Sequence, residues 1–401
     1  MEGFSIRSSG RWLPAKCSQR GPVGPEGKFQ TRWLVALGVA SLLVLSAKPL
    51  GAQSVLGQLF DASTGSPVEG ALVLLLDQDG EEAGGYLTNE AGRFIIGAPA
   101  PGSYTLRVER IGYESVDSDL FQLEEGQRFG IRLETEQTAI ELEGIEVEGD
   151  QQCVVRPGEG LELAKVWDEA RKALTVQDWT EREGLYRFQI TRYVRNLDLL
   201  GRPVDDEVRE VESGVFHSPI ESLPVEDLLS NGFVRRDPEG GYEYLGADAS
   251  VLLSDPFLDT HCFRLEADVA RPSQMGLAFE PVRGGGIPDI AGTLWLDAGT
   301  ANLKTLEYGY TWAPWREARG AARGHIEFEN LPNGAWVIRN WWIRMPQVEL
   351  DMSRSNTSWN EGVKLTGLKE VGGSITRFTA LEAPVSSETP RGVLEGQVWD
   401  S

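Results

Sequence analysis

The chain has 401 residues, and its 38 Lys and Arg against 61 Asp and Glu give a formal net charge of −23. This acidic balance argues against nucleic-acid binding, because phosphate backbones are bound through clustered positive charge. With 41% hydrophobic and 25% charged residues, the composition is typical of globular protein, which excludes wholesale disorder and a polytopic membrane protein. The length predicts two or three domains.

Residues 1–53 are predicted to be a signal peptide with an extended leader. The apolar run from Trp33 to Ala47 follows two basic residues and is shorter than the ~20 residues of a transmembrane helix. A stretch rich in small residues then reaches Gln53, where a signal peptidase could cut. We expect an exported protein (periplasmic, outer-membrane-associated or extracellular) with no transmembrane span after cleavage; the alternative is an uncleaved anchor.

Residues 54–134 show short apolar runs separated by Gly, Pro, Asn and Asp, a pattern typical of an antiparallel β-sandwich. Ala71 to Leu76 is apolar throughout, which predicts a strand covered on both faces. Tyr104 to Arg110 alternates between apolar and polar residues, which predicts a half-buried strand. Between Asp77 and Gly80 the sequence favours a hairpin turn over a calcium loop, because the later ligands of an EF-hand loop are lacking.

An ordered series of motifs in this region resembles the carboxypeptidase regulatory-like domain, a transthyretin-like sandwich with a carbohydrate-binding-like fold. The motifs are G-S-P-V-E-G-A-L-V at Gly65 to Val73, T-N-E-A-G-R-F at Thr88 to Phe94, P-G-S-Y-T-L-R-V at Pro101 to Val108, and Gly112-Tyr113. The resemblance implies a fold and an export context, with no catalysis in this module.

The domain name does not imply a zinc carboxypeptidase here. His217, His261 and His325 are the chain's histidines, and none begins the H-x-x-E pair that such a zinc site needs. The sequence therefore predicts no metal and no cofactor.

Residues 135–150 are rich in Glu and are predicted to be an acidic linker. After removal of the leader, Cys153 and Cys262 remain. A compartment that permits oxidation favours a disulfide between them, and two separate buried thiols are the alternative. A Cys–His site at His261 and Cys262 is less favoured than this disulfide.

Residues 151–380 are predicted to be a Trp-rich antiparallel β domain that begins with a helix. From Gly160 to Thr180, apolar residues recur at helical spacing, so this helix should lie on a sheet. Residues 196–250 support only a strand near Val208 to Phe216. Later strands are predicted at Leu294 to Asp297, Leu303 to Trp312, Gly324 to Glu329 and Ala335 to Met345.

The helix followed by a meander loosely resembles the half-barrels of periplasmic lipoprotein carriers. This resemblance implies an apolar ligand, such as an acyl chain, on the concave face of the sheet. The candidate lining residues are Tyr308, Tyr310, Trp312, Trp341 and Trp342. Two alternatives stay open: these aromatic residues form the core, or exposed Trp faces bind a glycan.

Residues 381–401 form a tail in which Val393 to Trp399 is similar to the first sandwich strand, so a second sandwich repeat could begin there. The fold class predicted for the whole chain is mainly β: a sandwich, then a meander or half-barrel with one amphipathic helix. The predicted function is that of an exported, non-enzymatic binding or structural protein whose partner is a cell-envelope protein, a glycan or a lipid. The alternatives are a carbohydrate-binding module and a hydrolase activity in the second domain.

Overall fold

The computed structural model describes residues 53–138, 153–155, 161–204, 208–214, 218–220, 222–237, 241–282, 286–351 and 362–381. The predicted signal peptide lies outside these residues except for Gln53. Most of the predicted acidic linker and all but the first residue of the predicted tail also lie outside them.

The first module, residues 53–138, is built from strands alone. These are Ser54–Asp61 (β1), Leu72–Asp77 (β2), Glu82–Leu87 (β3), Arg93–Gly97 (β4), Gly102–Glu109 (β5), Val116–Asp117 (β6), Phe121–Leu123 (β7) and Arg128–Thr135 (β8). They form two sheets, one in the order β4-β1-β8 and one in the order β3-β2-β5-β6, with β7 also paired to β5. The apolar core of the sandwich lies between these sheets.

The predicted sandwich is confirmed, but it is not antiparallel throughout. β1 pairs with β4 antiparallel and with β8 parallel, over eight aligned residue pairs from Ser54 to Asp61. A parallel pair needs a long crossover connection, and the six intervening strands supply it. The sequence pattern could not show this, because alternation within one strand is the same for either orientation of its neighbour.

The second module begins with Val154–Val155 (β9), Leu161–Arg182 (α1), Tyr186–Leu197 (β10) and Val208–Gly214 (β11). Short elements follow: Val225–Asn231 (α2), Val234–Arg236 (β12), Tyr242–Tyr244 (β13), Ala249–Leu253 (α3) and Asp255–Thr260 (α4). The remaining strands are His261–Glu266 (β14), Gln274–Pro281 (β15), Ile290–Asp297 (β16), Leu303–Tyr310 (β17), Arg323–Asn330 (β18), Trp336–Asp351 (β19) and Gly362–Ala380 (β20), with a single 3₁₀ turn at Arg316–Ala318.

Ten of these strands form one antiparallel sheet in the order β11-β10-β20-β19-β18-β17-β16-β15-β14-β9. The path of this sheet has two different end strands, so within the described residues the sheet is open. The predicted meander of β16 to β19 is confirmed within it. The strands β9, β12 to β15 and β20 and the short helices α2 to α4 were not predicted from the sequence. None of the described helices has the length and apolar character needed to cross a bilayer.

Helix α1 is buried on more than the one face that its predicted apolar stripe provides. Val166, Ala170 and Leu174 are fully buried against the ten-stranded sheet and the short helices. Trp179 is also buried, at 3% exposure, and it packs on the sandwich at β3. A Cβ at Gly85 would lie only 2.4 Å from Nε1 of Trp179, so only glycine lets the indole approach this closely. The helix therefore lies between the two modules.

The apolar run in β2 is explained by this arrangement. Val73 and Leu75 point into the sandwich core. Leu72, Leu74 and Leu76 point to the other side, where they join the apolar cluster that contains α1. The prediction that both faces of this strand are covered is thus correct, and the cover on the second face is the other module. The two modules share one continuous apolar core.

Polar contacts from α1 also reach the sandwich. The guanidinium of Arg171 donates two hydrogen bonds of 3.0 Å to the Glu109 carboxylate, whose side chain is 2% exposed. The next residue of the helix, Lys172, donates from Nζ to the carbonyl of Tyr113 at 2.7 Å. Burial acts to lower the pKa of Lys172, but two neighbouring carboxylates outweigh it and raise that pKa, so the ammonium is charged.

Backbone contact between two turns completes the interface. Gly70 and Gly334 have φ values of 68° and 86°, and a Cβ at Gly334 would lie 2.4 Å from the Cα of Gly70. Gly334 belongs to the turn Pro332-Asn333-Gly334 between β18 and β19. Three kinds of contact, apolar, ionic and backbone, therefore hold the sandwich on the second module.

Candidate functional site

An open groove on the second module is formed by the end of α2, the β12–β13 hairpin and the segment after β17. Its volume is about 580 Å³. The residues that line it are Asn231, Val234, Arg235, Arg236, Tyr242 and Trp312. α2 ends at Asn231 and β12 begins three residues later at Val234. The register of the hairpin places Tyr242 directly opposite Arg236.

Aromatic side chains form one wall of the groove. The ring of Tyr242 lies 5.8 Å from that of Trp312 in a tilted arrangement, and 5.3 Å from that of Trp315 in an edge-on one. Such tilted and edge-on pairs are the favoured geometries for aromatic rings. Trp312 is 38% exposed, so much of its indole faces solvent.

Two arginines of β12 line the other side. Arg235 is held in place: its Nη1 donates to Asp227 Oδ2 at 2.7 Å and its Nε donates to the carbonyl of Gly232 at 2.9 Å. The hydrogen bond from Arg235 lowers the pKa of Asp227, with a further contribution from Asn231. Arg236 is exposed, and its guanidinium carbon lies 6.0 Å from the centre of the Tyr242 ring.

The surface beside Trp312 is basic, although the chain as a whole is acidic. The segment from 313 to 323 contributes Arg316, Arg319 and Arg323, and all three are exposed. Glu317 is the acidic residue in this segment. The segment that follows Trp312 in the chain is therefore basic.

Of the five aromatic residues predicted to line a ligand site, Trp312 lies in this groove. Tyr308, Tyr310 and Trp341 are 5–8% exposed and belong to the apolar core shared with α1. The hydroxyl of Tyr310 donates to the carbonyl of Leu245 at 2.9 Å. Burial raises the pKa of both tyrosines, which keeps them neutral. The structure thus brings the apolar candidates together as packed core, covered by helices, and separates Trp312 from them.

Trp342 lies on the opposite side of the sheet from Trp341, since successive strand residues alternate between faces. Its ring stacks on His325 with centroids 5.2 Å apart, and the guanidinium carbon of Arg344 lies 4.0 Å from the ring centre. Trp342 and Trp312 therefore belong to two separate surfaces.

Cys153 and Cys262 form a disulfide with a Cα–Cα distance of 5.2 Å, which joins the chain before β9 to β14. Glu280 lies beside the two sulfurs. His261 is fully buried, and its Nδ1 lies 3.0 Å from the carbonyl oxygen of Phe257. Because strand residues alternate, His261 and the Cys262 sulfur are on opposite faces of β14, and the sulfur is already bonded. The arrangement does not join them in a Cys–His pair.

Sequence reasoning missed most of the groove. Arg235, Arg236 and Tyr242 lie in the stretch from 196 to 250 that showed no clear periodicity. A short hairpin of three-residue strands gives too few positions for alternation to be detected. The sequence signal that could have indicated this hairpin is the pair Arg235 and Arg236, followed by the alternating aromatic residues Tyr242 and Tyr244.

The family that matches this chain concerns its first module. Residues 54–135 match the family model of the carboxypeptidase regulatory-like domain, so the chain contains a domain of this family. This match confirms the resemblance that the motifs predicted. Among curated proteins, none matches the chain with significant similarity.

Three of the solved structures to which the chain is similar are the following. The 5-hydroxyisourate hydrolase of Klebsiella pneumoniae is 23% identical over 21% of this chain and 97% of its own, with a TM-score of 0.18. The shaft pilin SpaA of Lactobacillus rhamnosus GG is 10% identical over 63% and 95% of the two chains, with a TM-score of 0.19. A proposed carbohydrate-binding protein of Bacteroides uniformis is 11% identical over 65% and 96%, with a TM-score of 0.20. TM-scores this low carry no functional argument.

Proposed function

We propose that this is an exported, non-enzymatic binding protein whose groove at Trp312 takes an acidic glycan. The observation that carries the proposal is the composition of the groove, in which an exposed indole faces solvent beside arginines on an otherwise acidic chain. A sugar ring can lay its apolar C–H face on Trp312 and Tyr242, since large aromatic side chains offer flat apolar area with little conformational entropy to lose.

The arginines supply selectivity for negative charge. A guanidinium matches a carboxylate or sulfate with two parallel hydrogen bonds, and Arg236 is exposed at the edge of the groove. Arg235 is prealigned by its bonds to Asp227 and Gly232, so little ordering is needed on binding. Asn231 adds an amide that can donate to or accept from hydroxyl groups.

An apolar ligand is less well supported. The aromatic residues that would have lined an acyl-chain site, Tyr308, Tyr310 and Trp341, are packed among helices and neighbouring strands. The export part of the proposal rests on the predicted signal peptide and on the disulfide, which persists in oxidising compartments. The sandwich then acts as a structural module, since its β2 face is occupied by α1.

The test is a titration of the chain with polygalacturonate, a polymer of uronic acid, and with neutral dextran as comparison, followed by calorimetry and affinity electrophoresis. We expect binding to the acidic polymer that weakens with added salt. Trp312→Ala should weaken it about tenfold or more, which is the usual effect of removing an aromatic anchor. Arg236→Gln should also weaken binding of the acidic polymer, and the binding that remains should depend less on the salt concentration.

Trp342→Ala is the matched control, because this Trp lies on the other surface and should leave binding unchanged. Circular dichroism would show that both Trp variants are folded. Equal affinity of Trp312→Ala and wild type would refute the groove as the site, and equal binding of dextran would refute selectivity for acidic glycans.

A further inference from the structure

The two-residue segment Pro288-Asp289 is hydrogen-bonded to both walls of the groove at Trp312. The carbonyl of Pro288 accepts from the N–H of Phe233, just before β12, at 2.7 Å. On the other side, the carbonyl of Asp289 accepts from the N–H of Thr311 at 2.8 Å, and the N–H of Asp289 donates to Thr311 Oγ1 at 3.0 Å. Since Thr311 directly precedes Trp312, the segment fixes the backbone of the aromatic wall as well as that of β12.

The wall that carries the arginines packs closely on the same segment. Gly232 has φ of 86°, and a Cβ there would lie 2.8 Å from the carbonyl oxygen of Pro288. The carbonyl of Gly232 accepts in turn from Nε of Arg235 at 2.9 Å. A displacement of Pro288 and Asp289 would therefore move Arg235 relative to Trp312, which changes the width of the groove.

His261 lies next to Asp289, and each of its ring nitrogens faces an oxygen atom. The side chain of His261 is fully buried, with the ring of Phe257 stacked on it at 3.8 Å and that of Phe279 edge-on at 6.0 Å. Nδ1 lies 3.0 Å from the carbonyl oxygen of Phe257 and 3.2 Å from Oγ1 of Thr260. Nε2 has no hydrogen-bond partner among the described residues and lies 3.3 Å from Oδ1 of Asp289. The two side chains therefore form an ion pair only when the imidazole is protonated.

Asp289 is the acidic residue that contacts this ring. The other acidic residues of α2, α4 and β15, the elements around the ring, are exposed or paired with arginine: Glu226, Asp227, Asp255, Asp259 and Glu280. The basic residue of β14 is Arg264, and it lies on the opposite face of the strand from His261, because successive strand residues alternate. The charge of the imidazole therefore acts mainly on Asp289.

We propose that His261 and Asp289 are positioning residues of the groove, and that protonation of His261 strengthens its binding of an acidic glycan; this inference rests on the function proposed above. A neutral imidazole carries one N–H and cannot donate to both oxygen atoms, whereas the imidazolium donates on both sides. In either neutral tautomer the attraction between opposite charges is lost. Asp289 and the two walls that it joins are then held less firmly.

The pH dependence of glycan binding can report on His261, because the described lining residues of the groove include no histidine. Arginine and tyrosine, as residue types, ordinarily titrate above about pH 8, and carboxylates such as those of polygalacturonate ordinarily titrate below about pH 5. Histidine is the side chain that ordinarily titrates between these values. A change of glycan affinity over this range would therefore come from a group outside the lining, and variants identify it.

The experiment is a calorimetric titration of the full chain with polygalacturonate at about pH 5.5 and about pH 8, at one ionic strength. We expect about fivefold tighter binding at the lower pH, which is at the lower end of the range for coupled sites. His261→Gln and Asp289→Asn should both bind with the weaker affinity at both pH values. Asp289→Asn keeps the oxygen that accepts from the N–H of Ile290 at 2.8 Å. His325→Gln is the matched control, because His325 stacks on Trp342 on the other surface and should keep the pH dependence.

A second measurement does not need the glycan. At about pH 5.5, the amides of Phe233 and Thr311 should exchange their hydrogens at least about threefold faster in Asp289→Asn than in the wild type, because both walls lose their anchor. Asp289→Asn also supplies the result if His261→Gln fails to fold.

Unchanged exchange at both amides would refute the positioning role. Equal affinity at both pH values, or a pH dependence that persists in His261→Gln, would refute the role of protonation and leave the proposed function standing. If the wild-type chain binds polygalacturonate at neither pH, the proposed function is wrong, and hydrogen exchange still decides the positioning role.

Discussion

Replacing Lys172 by Met tests whether α1 holds the two modules together. The ammonium of Lys172 is 2% exposed, and it donates to the Tyr113 carbonyl of the sandwich at 2.7 Å and to Glu169 Oε1 at 2.9 Å. A third contact joins it to Asp168 at 2.7 Å. Methionine has nearly the same length and helix propensity, so the change removes the charge while keeping most of the apolar contact.

The expected loss is about 3–5 kcal/mol in the free energy of unfolding, which is typical when one partner of a buried ion pair is removed. Glu169 carries most of this cost, because its side chain is only 10% exposed, and removal of Lys172 takes away the cation that opposes the effect of burial, which already raises the pKa of Glu169. Asp168 is 42% exposed, so the loss of that contact contributes little.

Urea denaturation followed by far-UV circular dichroism gives the free energy of unfolding and its m-value. Lys165→Met is the matched control, since Lys165 is exposed on the same helix and should change stability by less than about 0.5 kcal/mol. The double variant Lys172→Met, Glu169→Gln should recover at least half of the loss. In this variant no buried charge is left unpaired, and the amide oxygen can still accept from the N–H of Gly112, as Glu169 does at 2.8 Å.

Equal stability of Lys172→Met and Lys165→Met would refute the reasoning, because it would mean that the contact with Tyr113 and Glu169 does not couple the modules. A double variant as unstable as the sum of its single changes would instead refute the role of uncompensated charge.

Two further predictions concern the links between modules and within the second one. Gly334→Ala should lower the free energy of unfolding by ~2 kcal/mol or more, because the residue has φ of 86° and the new Cβ would meet the backbone of Gly70. Gly286→Ala is the control: Gly286 has φ of 63° but open space around it, so the loss should be only about 1 kcal/mol. Thermal unfolding of both variants compares the two losses. Replacing Cys153 and Cys262 by Ser should lower the free energy of unfolding by about 4 kcal/mol, since the disulfide closes a sequence separation of 109 residues. Reducing the disulfide of the wild-type chain should lower its stability by the same amount. If neither the Ser variant nor the reduced wild type loses stability, the prediction is wrong.

The sandwich could be predicted from the sequence because short segments of the chain are enough to indicate its strands and turns. The turn glycines, the alternating strand at Tyr104 and the doubly apolar strand at Leu72 each show their structure within ten residues. The sequence could not predict that α1 covers the second face of β2. This helix begins almost ninety residues later, and no local pattern shows which distant element will pack on a strand. The apolar stripe of α1 predicted only one of its two contact faces.

The longest strand shows a different reason for failure. β20 contains Gly367, Gly372 and Gly373, and glycine is ordinarily a signal for turns. In the structure a Cβ at Gly373 would lie 2.4 Å from the ring of Trp341, so this glycine makes room for an indole on the adjacent strand. Composition alone does not distinguish a glycine that bends the chain from one that accommodates a neighbour.

The candidate site was predicted in part for a related reason. Aromatic side chains mark both cores and binding surfaces, so the sequence grouped Trp312 with Tyr308 and Tyr310. What separates them is the strand end at Tyr310: beyond it, Trp312 leaves the sheet and reaches the groove, while the tyrosines remain beneath the helices.

The position of α1 between the modules has a consequence for the order of assembly. A chain synthesised from its N-terminus presents the complete sandwich before α1, with Leu72, Leu74 and Leu76 uncovered on its outer face. These leucines stay in water until α1 emerges and docks, so an apolar surface is transiently available to other chains. Conditions that slow the arrival of the second module should favour aggregation through β2, and a chaperone that shields this stripe would raise the yield of folded protein.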